Sequence, residues 1–126
     1  MRVFKTKASG KWASRERLTD ALLRAAAEEM AQGLIDADLG GHVIKKRLAL
    51  PGRGKSGGVR TLVAFRHADR SVFMYGFAKN VRANISRKEL KALQLLATQL
   101  LEYDDAELVK ATKAGELIEI EADIHG

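Results

Sequence analysis

The stretch VIKKRLALPGRGKSGGVRTLVAFRHADRSVFMYGFAKNVRANISRK, residues 43–88, decides the fold. Ile44, Lys46, Leu48 and Leu50 alternate with Lys45, Arg47 and Ala49, the two-residue period of a strand. Pro51-Gly52 stops that run, and Gly52–Gly58 makes a glycine-rich loop. Gly58–His67 and Ser71–Ala78 then read as two adjacent strands joined by a short turn at Ala68–Arg70. Their runs Leu62–Phe65 and Val72–Phe77 are apolar on both faces, as in central strands. The same stretch holds twelve Lys or Arg against one acid, Asp69, for a net charge of +11, while the other eighty residues sum to −5. A basic sheet beside neutral or acidic helices suits a polyanion. Phosphate neutralisation supplies most nucleic-acid affinity without reading sequence.

Working outward, Ser86 as N-cap and Glu89 three residues on form a capping box. The helix it opens runs to about Leu101 and buries Leu90, Leu93, Ala97, Leu100 and Leu101. Asp104 caps a second short helix ending near Gly115. Ile118, Ile120, Ala122 and Ile124 then alternate with Glu119, Glu121 and Asp123, a half-buried strand with an acidic outer face. On the N-terminal side, Val3–Thr6 is a short edge-strand candidate. Thr19 or Asp20 caps a helix with Leu23, Ala26 or Ala27, Met30 and Leu34 at helical spacing, and Gly33 suits its end. A turn follows at Gly40 and Gly41. The order is β, α (whole or split in two), three β, α, α, β. This describes one α+β domain over residues 1–126, a mainly antiparallel sheet with helices packed on one face.

Composition narrows the function. A chain of 126 residues with 46% apolar and 30% charged residues buries a core without staples. With no cysteine, disulfides and Cys-based zinc sites are excluded. Met1–Lys11 has no apolar signal-peptide core, and no stretch approaches the roughly 20 apolar residues of a membrane span. The expectation is a cytoplasmic protein, not a membrane one, with an acidic partner.

Gly54-Lys55-Ser56 invites a nucleotide-binding P-loop, but the first glycine of that motif would fall at Ala49, and strand follows the loop instead of helix. The loop reads instead as a hairpin connection, or as a basic loop whose backbone approaches a phosphodiester, with Arg53 and Lys55 as its reach. Arg60 shares a strand face with Leu62, Ala64 and Arg66. Two arginines there are costly unless the face is open or the guanidinium is paired, with an acid on a helix or with a phosphate. Lys79, Asn80, Arg82 and Asn84 form a polar cationic exit from the last central strand, fit for phosphate and base contacts or for a solvated turn. By strict alternation Phe73, Tyr75 and Phe77 share one face, more in the manner of core than of a stacking platform, and Tyr75 alone brings a hydroxyl to a site. His42, His67 and His125 have no metal-ligand spacing, so neither a metal nor another cofactor is expected.

Lys45-Lys46-Arg47, Gly54-Lys55-Ser56-Gly57-Gly58-Val59-Arg60-Thr61, Tyr75-Gly76-Phe77-Ala78-Lys79-Asn80 and the helix start Lys88-Glu89-Leu90 resemble the RelE-type toxins of bacterial type II toxin–antitoxin modules, in their HigB-like branch. The likeness covers nearly the whole chain and is most specific over Ile44–Leu93. It implies the RelE/ParE fold, with helices on one face of the sheet and a basic concave face opposite. It implies a ribosome-dependent, metal-independent mRNA endoribonuclease that inhibits translation. In such an enzyme the RNA 2′-hydroxyl attacks the adjacent phosphate. By resemblance Arg60 contacts the scissile phosphate, and Lys55, Lys79 and Arg82 complete the catalytic set. Lys45, Lys46, Arg47, Arg53, Arg66 and Asn80 would bind mRNA or ribosomal RNA. The implied partners are an antitoxin protein, mRNA, the ribosome, and operator DNA through the antitoxin complex. The chain departs from the superfamily near its C-terminus, where His125 is the one acid–base residue available, so the general base is unassigned. Two other readings stand beside this one: a ParE-like gyrase inhibitor of the same fold, and a non-catalytic RNA- or DNA-binding module.

Overall fold

A strand that is apolar on both faces must be covered on both, and this requirement shapes the molecule. The computed structural model describes residues 1–50, 58–67 and 69–122. In chain order they form β1 (Arg2–Thr6), α1 (Lys7–Arg15), α2 (Asp20–Ala31), β2 (Ala37–Asp38), β3 (Val43–Leu48), β4 (Val59–Arg66), β5 (Arg70–Ala78), α3 (Arg87–Glu102), α4 (Asp105–Lys113) and β6 (Leu117–Ile120). The strands make one sheet in the order β2-β3-β4-β5-β1-β6. Every neighbouring pair is antiparallel except β1 with β5. The α+β class and the mainly antiparallel sheet are those expected from the sequence.

The helices, however, lie on both faces instead of one. Ile44, Val59, Val63 and Phe73 pack with Leu23, Ala27 and Met30 of α2 and Ala13 of α1. Val43, Leu62, Ala64 and Val72, which alternate with them, pack with Ala97, Leu100 and Leu101 of α3 and Leu108 of α4. The doubly apolar runs of β4 and β5 already demanded two covers.

β1 is likewise interior, between β5 and β6, and not an edge strand. Val3 and Phe4 are both fully buried, one in each cluster. The first helical region is split. α1 carries a buried Gly10 and is started by Thr6, whose hydroxyl accepts from the Ser9 amide at 3.1 Å. α2 is capped by Thr19 and stops at Ala31, with Gly33 at φ +89° just beyond. Leu34, expected on its buried stripe, lies past that stop and is exposed. Gly76 on β5 takes the ring of Trp12 directly over its Cα, where a Cβ would collide with it.

The capping boxes at Ser86/Glu89 and Asp104/Glu107 both form. Arg70 is buried under the end of α3, where its Nη1 donates to the Leu100 carbonyl (2.8 Å) and the Tyr103 carbonyl (3.0 Å). A cation there satisfies carbonyls left over at a helix C-terminus. In β5, Tyr75 pairs with Leu62 and Phe73 with Val63, so Met74 is an extra residue, a bulge. The bulge reverses the alternation. Phe73 faces α1 and α2, while Tyr75 and Phe77 face the α3 side. The three aromatics therefore do not share a face, because strict alternation fails at Met74.

Candidate nucleic-acid interface

Strand register assembles the site. Arg47 of β3 lies directly across from Arg60 of β4, and Arg60 directly across from Phe77 of β5. Leu62 and Tyr75 form the next cross-strand pair on that face. The result is a row Arg47–Arg60–Phe77 at the ends of three strands, with Tyr75 one step inward. Arg47 is exposed and Arg60 half-buried. The Nη1 of Arg60 is buried and makes no hydrogen bond among the described residues. A buried guanidinium nitrogen without an acceptor is costly. An anionic oxygen, such as one of a phosphate, is the kind of acceptor this nitrogen lacks.

Arg82 closes this corner from the loop before α3. Its Nε donates to the Asn84 carbonyl (2.9 Å), and its Nη1 donates to Glu89 Oε2 (2.9 Å) and to Tyr75 Oη (3.3 Å). Its Nη2 donates to Glu89 Oε1 (2.7 Å). The guanidinium carbon sits 5.8 Å from the Phe77 ring centroid. Glu89 also closes the capping box of α3, its Oε1 accepting from the Ser86 amide at 2.9 Å. Bonding to Arg82 first, and to Ser86 next, holds the Glu89 carboxyl down to about 2. Glu89 and then Tyr75 push Arg82 above its ordinary value. One helix start thus fixes the orientation of one arginine and, through it, one phenol.

The other expected site residues divide. Lys79 and Asn80 are exposed in the turn after β5, next to the row. Lys45 shares the α3-side face with Arg47, two residues along β3, and is half-buried. Lys46 is not with them. It points to the opposite face, buried, and its Nζ donates to the Leu34 carbonyl (2.9 Å) and pairs with Glu29 (2.9 Å). Strand alternation sends Lys46 to α2 for the same reason that it sends Lys45 and Arg47 away from α2. Arg66 has the parity of Arg60 but stands six residues along β4, roughly 20 Å away at strand rise, and its Nε donates to Asp69 at 2.7 Å. Arg53, Lys55 and His125 lie outside the described residues.

The sequence reading missed the Tyr75–Arg82–Glu89 set. Its signal was available in part, since Glu89 was legible as a cap and Tyr75 as a hydroxyl on a strand. Their meeting on Arg82 depends on the bulge at Met74, which alternation does not reveal.

Residues 1–120 match the family model described as "RelE toxin of RelE / RelB toxin-antitoxin system". The chain belongs to the RelE toxin family. Membership makes it a toxin-type member of a toxin–antitoxin system with an antitoxin as its implied partner, in a family whose toxins are generally endoribonucleases. A comparison with curated proteins finds no match. Among the described residues of this RelE-family chain, no helix is long and apolar enough to cross a membrane, and no group of three or more His, Cys, Asp or Glu could hold a metal ion.

Proposed function

We propose that this RelE-family protein cleaves mRNA on the translating ribosome, as a HigB-like toxin, with Arg60 as the ligand of the scissile phosphate. One observation carries the reading: Arg60 is set against Arg47 in register, half-buried, with a buried Nη1 that no described residue satisfies. A half-buried arginine beside a second cation, with a donor still unfilled, suits an anion. As the 2′-oxygen attacks, charge accumulates on the phosphate oxygens, and a fixed guanidinium stabilises that charge more than it stabilises the substrate. Lys79, Asn80, Lys45 and Arg47 extend the cationic rim along which the mRNA or ribosomal RNA backbone lies. Arg53 and Lys55 belong to the same proposal on resemblance alone. Lys46 and Arg66 do not contribute, since each is committed to a carboxylate away from the row.

Primer extension on a reporter mRNA in a purified translation system tests the proposal. Cuts are expected only while ribosomes translate, and none in naked mRNA. A second reading draws on Arg82, which is held by Glu89 instead of being free for phosphate. An internally paired arginine suits a toxin of this fold with another target, such as DNA gyrase, or a module that binds nucleic acid without cutting it. Intact mRNA under translation, together with inhibited DNA supercoiling, would select the gyrase reading. Salt-dependent binding with neither activity would select the binding module.

A further inference from the structure

An arginine has five N–H hydrogens, and Arg82 commits four of them to Asn84, Tyr75 and the two oxygens of Glu89. It therefore cannot grip a phosphate with two parallel bonds while Glu89 stays in place. What Arg82 does offer is an oriented bond to Tyr75. In that bond the guanidinium is the donor and the phenol oxygen the acceptor. The phenol's own proton is left free to point elsewhere. Tyr75 and Arg60 lie on the same sheet face as diagonal neighbours, through the pairs Arg60–Phe77 and Leu62–Tyr75. Such neighbours stand about 7–8 Å apart. That spacing lets long side chains at the two positions meet on one ligand, so a phosphodiester at Arg60 could present an ester oxygen to the Tyr75 hydroxyl.

We propose that Tyr75 is the general acid of the cleavage, with Arg82 and Glu89 as its positioning residues. The role rests on the RNA-cleavage reading above. The O2′–P bond forms as the 2′-hydroxyl releases its proton to water. The P–O5′ bond breaks as Tyr75 gives its proton to the departing 5′-oxygen. The products are a 2′,3′-cyclic phosphate and a 5′-hydroxyl. The phenolate left behind accepts the Arg82 hydrogen bond, and water reprotonates it after release. Glu89 keeps Arg82 turned toward Tyr75 and away from the phosphate. Proton transfer by a positioned acid accounts for about 10²–10⁴-fold in rate.

The decisive comparison is single-turnover cleavage by wild type and Tyr75→Phe on ribosomes programmed with two mRNAs. One has the natural scissile linkage. The other has sulfur in place of the bridging 5′-oxygen, a leaving atom that departs without protonation. Tyr75→Phe keeps the ring that contacts Phe77, and its melting temperature should stay close to wild type. The expected result is a loss of about 100-fold on the natural mRNA, unchanged affinity for the ribosome, and near wild-type cleavage of the sulfur-bridged mRNA. An equal loss on both mRNAs, or no loss on either, would overturn the role of Tyr75 while leaving ribosome-dependent cleavage standing. A wild type that cuts neither mRNA would overturn both.

Discussion

Arg47 and Arg60 stand directly opposite one another on adjacent antiparallel strands, like charge against like charge. Cross-strand neighbours of the same sign destabilise a sheet. Under the proposed function, this pairing works against the fold because both arginines face the phosphate backbone of the RNA. Arg47→Gln is therefore expected to raise the protein's stability by about 0.2–1 kcal/mol. It should also weaken binding to single-stranded RNA and make the dependence of log K on log salt shallower by about 0.7 for a lost phosphate contact. Thermal melts and a salt titration of RNA binding check both halves. A lower melting temperature would argue that Arg47 is held by attraction.

Glu89 gives the account a pH signature. Its carboxyl lies at about 2 in the folded chain, below its ordinary 4.5, because Arg82 and then Ser86 bond the ionised form. A depressed folded-state value means the charged form stabilises the fold above the ordinary carboxylate range, and that this stability is lost as pH falls toward about 2. Glu89→Gln should melt lower than wild type near neutral pH, and the gap should close as pH falls from 4.5 toward 2. Melting curves over that range provide the check. A gap that does not change with pH would mean that Glu89 acts by shape alone. The pair is open to solvent, so added salt should narrow the gap as well.

Gly76 is where α1 meets the sheet. The Trp12 ring occupies the space a Cβ would need, so the ring or the strand must shift to admit one. Gly76→Ala is expected to cost about 1–3 kcal/mol by overpacking. The pairing of β5 with β4 and the Tyr75–Arg82 contact neighbour this point, so activity should fall with stability. Chemical denaturation measures the first effect and cleavage at a temperature well below the melt measures the second. A stable Gly76→Ala protein would show that α1 is loosely docked.

Much of this molecule was legible in its sequence. The capping box at Ser86/Glu89 and the cap at Asp104 open α3 and α4 where the sequence placed them, because capping is a local property of a few residues. The alternation of Ile44, Lys46 and Leu48 with Lys45 and Arg47 placed the two sets on opposite faces of β3. Three things were not legible. Lys46 and Lys45 look alike in a run of basic residues. Only knowing that α2 covers one face, and brings Glu29 with it, separates a structural lysine from a surface one. The bulge at Met74 was equally hidden, since Ser71–Ala78 is apolar on both faces and carries no signal of a slipped register. That single extra residue sends Phe73 to one core and Tyr75 to the corner where Arg82 waits. The parallel pairing of β1 with β5 is a long-range choice, and nothing in the five residues of β1 announces it.

The central claim is that Arg60 holds the scissile phosphate, and primer extension with Arg60→Ala beside wild type in a purified translation system tests it most directly. The wild type should cut the translated mRNA. Arg60→Ala should fold, melt close to wild type, still associate with ribosomes, and cut about 10²–10³-fold more slowly, the usual cost of removing one fixed donor from a charged transition state. Cleavage by Arg60→Ala at the wild-type rate would contradict the account.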